Sequence, residues 1–200
     1  MVPAIIDAEN YSKYLFDCLK RRPKHVVVAT HGIYAGIDWR GCDTCSYGPD
    51  YQLATRDMLE LMRPLPDVRF LVGLSTYRSC KGQYKPCLDC ESKYAQSMFR
   101  LLNHADFFSE IKWRVTVNSH PKCCLFFYEK EVCGIVGRNF SDTDWGDVVF
   151  TVGIVQVKQL FAKVNQLWNE ACPVTTEHIE RILSEQEITK RAIDSLVAGA

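Results

Sequence analysis

The chain has 200 residues, 47% of them hydrophobic, enough to bury one sizeable core and to carry an insertion within one domain. Lys plus Arg equals Asp plus Glu at 24 each, so no overall positive field draws the protein to nucleic acid or to an anionic membrane, and any polyanion site must be a local patch. No run of about 18 apolar residues occurs, and the opening MVPAIIDAENYSKYL has neither the basic nor the apolar region of a signal peptide; the expectation is a cytoplasmic protein with no membrane partner and with reduced cysteines.

Residues 9–22 place Tyr11, Tyr14, Leu15, Cys18 and Leu19 at helical spacing, with Arg21 and Arg22 where a helix C-terminus favours cations, and Pro23 ends the segment. HVVVAT follows as a β-branched run suited to a strand buried on both faces, and HGIYAG reads as a glycine-bearing loop. A second helix is expected from about Tyr51 to Met62, closed by Pro64 and Pro66, before the strand VRFLVGLST. The pattern then predicts a helix over ESKYAQSMFRLLNHA, a strand over KWRVTVN, and a hairpin of CCLFFYEK and EVCGIVG turning near Glu129 to Glu131. DVVFTVGIVQV reads as one more strand and VKQLFAKVNQLWNEA as a helix broken by Pro173. The last segment opens on a Thr-x-x-His cap and runs as an amphipathic helix with Ile179, Ile182, Leu183, Ile188, Ile193 and Leu196 on its apolar face, a face suited to packing within the molecule or in a dimer. Strands alternating with helices, then a hairpin, predict an α/β domain with a mixed β-sheet flanked by helices. The expected division is a domain over 1–172 and a C-terminal helix over 173–200.

Two segments between the early elements are rich in cysteine. GCDTCSYGP holds Cys42 and Cys45, and CKGQYKPCLDC holds Cys80, Cys87 and Cys90. Paired C-x-x-C motifs suit tetrahedral zinc, because a tight turn aims two thiolates at one ion. Cys42, Cys45, Cys87 and Cys90 are the expected ligands of a small zinc-binding loop insertion within 40–92, with Cys80 as the alternative and His31 as a weaker substitute. A closed four-cysteine site has no open coordination position, so the zinc is expected to be structural. The competing readings are unpaired thiols, a disulfide, or a redox motif in CLDCESKYA. Cys18, Cys123, Cys124, Cys133 and Cys172 sit in apolar runs and are expected in the core.

The chemistry-bearing stretch is VNSHPKCCLFFYEKEVCGIVGRNFSDTDWGDVVF. In a strand, side chains two apart share a face, so His120 and Lys122 converge while Pro121 points away, and the returning hairpin brings Asn139 back to the same end. A histidine, an ammonium group and a carboxamide at one end of a sheet suit a phosphate: a nucleophile or proton carrier with two groups for the non-bridging oxygens. The plainer reading is a strand-end histidine beside a solvated lysine.

The arrangement resembles the phospholipase D superfamily, whose motif is H-x-K, four residues, D, then six residues and G-S-x-N, with an acidic residue about ten positions on. His120 and Lys122 match its first part, and Val136, Gly137, Arg138 and Asn139 stand for its second, two residues later than the motif's spacing places it. Phe127 stands at the aspartate, while Val136 and Gly137 stand at the glycine and serine. The order of helices and strands over residues 5–172 follows the family, and a cysteine-rich insertion occurs in some of its small nuclease members. The resemblance implies a phospholipase D-like fold and a phosphodiesterase, foremost a metal-independent nuclease that cleaves DNA or RNA through a phosphohistidine. His120, Lys122 and Asn139 would be catalytic, with Asp147, or Asp144 as second choice, orienting the histidine. One motif per chain implies a homodimer sharing the active site, with His120 of each copy at the two-fold axis. Arg138, Lys112 and Arg114 are expected substrate-binding residues, with Trp113 an aromatic neighbour and Arg78, Lys81 and Lys85 further basic groups. The alternative is a catalytically inactive domain acting as a zinc-stabilised module that binds nucleic acid or protein; a third class is a zinc-stabilised inhibitory module that docks through its last helix.

Overall fold

The computed structural model describes residues 5–6, 8–30, 49–73, 101–102, 104–116, 122–137 and 149–185. Its elements are β1 (Ile5–Ile6), α1 (Ala8–Lys20), β2 (His25–Thr30), α2 (Pro49–Met62), β3 (Val68–Gly73), β4 (Lys112–Thr116), β5 (Cys123–Phe127), β6 (Val132–Val136), β7 (Val149–Val152), α3 (Ile154–Glu170), β8 (Cys172–Pro173) and α4 (176–185). The strands form a single sheet in the order β1-β7-β6-β5-β2-β3-β4-β8. β2, β3 and β4 are mutually parallel, and every other pairing is antiparallel. The fold is therefore α/β with a mixed sheet.

The interior strands are largely apolar because both faces are covered, with Arg69 of β3 and Lys112 and Arg114 of β4 as exceptions, and alternation along each strand divides the core. Val26 and Val28 of β2, Phe70 of β3, Val115 of β4 and Cys124 of β5 pack with Leu15 and Leu19 of α1, Met58 and Met62 of α2, and Ile179 and Ile182 of α4. Val27, Ala29, Leu71, Cys123 and Leu125 face the other way, onto Val157, Val164, Leu167 and Trp168 of α3. Helix α1 stops where the sequence predicts: Arg22 takes φ 52°, its N–H reaches the Leu19 carbonyl at 2.9 Å, and Pro23 cannot extend the helix. The Thr-x-x-His cap is present, with the His178 N–H donating to Thr175 Oγ1 at 3.3 Å and His178 Nδ1 2.9 Å from the same oxygen. Ile188, Ile193 and Leu196 lie outside the described residues.

Two expectations are corrected. DVVFTVGIVQV is not one strand: β7 ends at Val152, extended Gly153 caps α3, and Ile154 and Val155 open the helix at 57% and 60% exposure. A continuous apolar run carries no period that separates a strand end from a helix start. Cys172 is half-buried rather than core, because it lies on the two-residue edge strand β8 with its sulfur 3.2 Å from Arg181 Nη2. No helix among the described residues is long and apolar enough to cross a membrane.

Candidate functional site

Parallel β2, β3 and β4 end side by side, with Thr30 paired to Val72 and Gly73 to Thr116. β5 begins at this same edge because it runs antiparallel to β2, Cys123 opposite Ala29. β6 returns to it, Val136 opposite Cys123, and β7 leaves from it, Phe150 opposite Val136. One edge of the sheet thus gathers the carboxyl ends of the parallel strands and the open end of the hairpin. Thr30 and Thr116 close β2 and β4 there with buried side chains.

Lys122 stands immediately before β5 at this edge and is half-buried. Gly137, immediately after β6, donates its N–H to the Lys122 carbonyl at 3.0 Å, so the two ends of the motif are tied by a backbone hydrogen bond. Gly137 has φ 108°, in the region where a Cβ is strained, which is the physical reason for glycine here. The sequence alone does not reveal this role.

His120, Arg138, Asn139 and Asp147 lie outside the described residues, but their covalent anchors do not. His120 is two residues before Lys122, Asn139 two after Gly137, and Asp147 two before Val149. Two residues of chain span at most about 7 Å, so the backbone of each candidate is tethered within that distance of this edge. Cys42, Cys45, Cys80, Cys87, Cys90 and His31 also lie outside the described residues, in segments that start from the ends of β2 and β3. Among the described residues no group of three or more His, Cys, Asp or Glu is gathered as a metal site.

Cys123 and Cys124 follow Lys122 directly. Burial pushes the Cys123 thiol up to about 12 and raises Cys124 as well, so neither is a thiolate nucleophile.

The other binding candidates are elsewhere. Lys112 opens β4 at the opposite edge, where its Nζ lies 2.7 Å from Asp67 Oδ1. Arg114 is half-buried in mid-strand, donating through Nη1 to the Trp168 carbonyl at 2.6 Å and the Ala171 carbonyl at 3.4 Å, with its guanidinium 5.1 Å from the Trp168 ring centroid. It fastens the C-terminus of α3 to the sheet, where the helix dipole favours a cation. Trp113 does not line a groove: it is buried, stacked on Phe70 at 4.6 Å, with Nε1 donating to the Phe108 carbonyl at 3.2 Å. β4 is an interior strand between β3 and β8, so its aromatic residue faces core where composition suggests surface.

Phe127, which stands where the motif has aspartate, is at the far end of β5, opposite His25 and with its ring 5.1 Å from that of Phe161. Five steps of strand place it roughly 16 Å from Lys122.

No protein-family model and no curated protein matches the chain. Among solved structures it is similar to TrmBL2, an archaeal chromatin protein whose structure shows a novel mode of DNA binding, with TM-score 0.44 and 10% identity over 84% of this chain. The chain spans 52% of that protein's length.

Proposed function

We propose that the protein is a phospholipase D-like phosphodiesterase, foremost a nuclease that cleaves DNA or RNA without a catalytic metal. The observation that carries this reading is the hydrogen bond from Gly137 N–H to the Lys122 carbonyl, which brackets the two halves of the motif at one sheet edge. Open α/β sheets favour ligands outside the carboxyl ends of their strands, the edge from which His120, Asn139 and Asp147 are tethered. The departures from the motif are compatible with chemistry there. Phe127 belongs to the opposite edge, so its loss of a carboxylate removes no group from the phosphate, and Gly137 contributes backbone.

In the proposed reaction an imidazole nitrogen of His120 attacks phosphorus and the P–O bond to the leaving group breaks. His120 of a second copy gives its proton to the departing oxygen. Water then attacks the phosphohistidine, the second histidine accepts its proton, and the P–N bond breaks. Lys122 and Asn139 neutralise and orient the non-bridging oxygens, most strongly as charge builds in the transition state. Asp147 holds the His120 ring, and Arg138 adds charge beside it.

Cys42, Cys45, Cys87 and Cys90, with Cys80 as the alternative, form a donor set that fits tetrahedral Zn²⁺. Their segments leave the neighbouring ends of β2 and β3, so an ion held between them would brace this edge without entering the reaction.

The test is cleavage of labelled single- and double-stranded DNA and RNA in EDTA by wild type and His120→Ala, with the mass of the native protein measured in parallel. Cleavage that persists in EDTA and disappears in the variant supports the reading. Metal-dependent cleavage, activity retained by His120→Ala, or a strictly monomeric active protein overturns it, while a folded protein that cleaves none of these substrates points to a binding module.

A further inference from the structure

Toward the other end of β6 from Gly137, on the face of the sheet covered by α1, two thiols meet. Cys18 Sγ on α1 and Cys133 Sγ on β6 lie 3.9 Å apart, 115 residues apart in sequence and only 3% and 5% exposed. The surroundings hold them together. The Tyr128 hydroxyl donates to the Cys18 carbonyl at 2.9 Å, the Arg21 guanidinium lies 4.2 Å from the Tyr128 ring centroid, and Arg21 pairs with Glu131 at the hairpin turn.

We propose that Cys18 and Cys133 are a redox modification site, closed to an intramolecular disulfide by a hydroperoxide and reopened by a thiol reductant. The sulfurs are in contact, and bonding at about 2.05 Å requires an approach of about 1.9 Å, within reach of rotamer changes and a small shift of α1 over the sheet. Cys133 is the attacking sulfur. The contacting Cys18 thiol, with the Tyr14 hydroxyl, outweighs burial and holds the Cys133 thiol below its ordinary value, while the same contact and burial raise Cys18. Its thiolate attacks the O–O bond of hydrogen peroxide, giving a sulfenic acid and hydroxide, which takes a proton to become water. The Cys18 sulfur then attacks the sulfenic sulfur, the S–O bond breaks, and a second water leaves with the Cys18 proton. Two thiols are oxidised and one peroxide is reduced to two waters. The bond ties α1 to β6 and closes a long loop in the unfolded chain, which raises the thermal midpoint by roughly 10 °C.

The test treats the reduced full chain with hydrogen peroxide, alkylates it and maps its peptides without reductant. A Cys18–Cys133 cross-linked peptide that dithiothreitol separates, together with a raised thermal midpoint, is the expected result. Cys18→Ala should leave Cys133 as a sulfenic acid labelled by dimedone; if that variant does not fold, the wild-type map decides alone. The proposal is overturned if Cys18 and Cys133 remain free thiols while other cysteines oxidise, if Cys133 advances to sulfinic acid with no cross-link, or if each pairs elsewhere.

Discussion

His25 Nδ1 lies 2.5 Å from Asp67 Oδ2 at the edge of the sheet opposite the candidate site. The contact is an ion pair only when the imidazole is protonated. The ring packs between Phe127 and Phe161, with centroids at 5.2 and 5.7 Å. Asp67 also meets Lys112 at 2.7 Å and Arg69 at 3.2 Å, so one carboxylate joins the starts of three parallel strands.

This arrangement sets the expected pH dependence of stability. Burial lowers the His25 pKa below its ordinary 6.5, with Arg69 and Lys112 adding to the effect and Asp67 opposing it. Burial pushes the Asp67 carboxyl up, but the Lys112 hydrogen bond, His25 and Arg69 outweigh it and hold the pKa below its ordinary 3.8. Both groups bind protons more readily in the unfolded chain, so both make stability fall with falling pH. The His25 contribution is complete above its unfolded pKa and is lost below about pH 6.5; that of Asp67 is lost only below about pH 4. Urea midpoints should therefore drop between pH 7.5 and 5.5 in wild type, with a smaller drop in His25→Gln. An equal drop in both proteins would remove His25 from the explanation.

Lys122 separates the proposed chemistry from folding. If the proposed mechanism holds, Lys122→Ala removes a charged donor to the phosphate and should lower kcat/KM for phosphodiester cleavage by about 10²–10³-fold, while changing stability by no more than about 1 kcal/mol. Gly137→Ala should behave differently. A Cβ at its positive φ costs about 1–2 kcal/mol and disturbs the turn leading to Arg138 and Asn139, so activity and the urea midpoint should fall together. Full activity in both variants would detach the hairpin mouth from catalysis.

Gly134 lies in the middle of β6, where an added Cβ would stand 2.7 Å from the Cys124 carbonyl oxygen and 2.8 Å from Leu125 Cδ2. The leucine can rotate, but the carbonyl belongs to the paired strand and cannot move without opening the ladder. Gly134→Ala should cost about 2–3 kcal/mol, seen as a lower urea midpoint at unchanged slope. A loss below about 0.5 kcal/mol would mean that the hairpin absorbs the methyl group freely.

Local pattern determines the element where packing agrees with it. HVVVAT and VRFLVG are interior strands because β-branched and aromatic residues fill both covered faces, and the hairpin at Glu129 to Glu131 follows from two such runs around a polar turn. The same hairpin makes the approach of Lys122 to Gly137 legible. What escapes the pattern is set by partners distant in the chain. Lys112 and Arg114 look alike as basic groups, yet one meets Asp67 and the other the end of α3. The hub role of Asp67 leaves no trace in its neighbours, since its partners open or lie within three strands. Trp113 is polar at one atom, and only the fold shows that Phe108 supplies the acceptor that lets it be buried.

Arg114 tests this distinction between a substrate-binding role and a structural one. Its guanidinium satisfies carbonyls at the C-terminus of α3 and lies over the Trp168 ring, which Arg69 also approaches at 5.8 Å. Arg114→Met keeps an apolar stem of similar length but leaves the Trp168 carbonyl without its charged donor. The cost should be about 2 kcal/mol of stability, the worth of a hydrogen bond to a charged group. Nucleic-acid affinity and its dependence on salt should stay at wild-type values, because only the removal of a cation that neutralises a phosphate makes the salt slope shallower, by about one unit. A shallower salt slope with unchanged stability would make Arg114 a substrate-binding residue and its hydrogen bonds to α3 incidental.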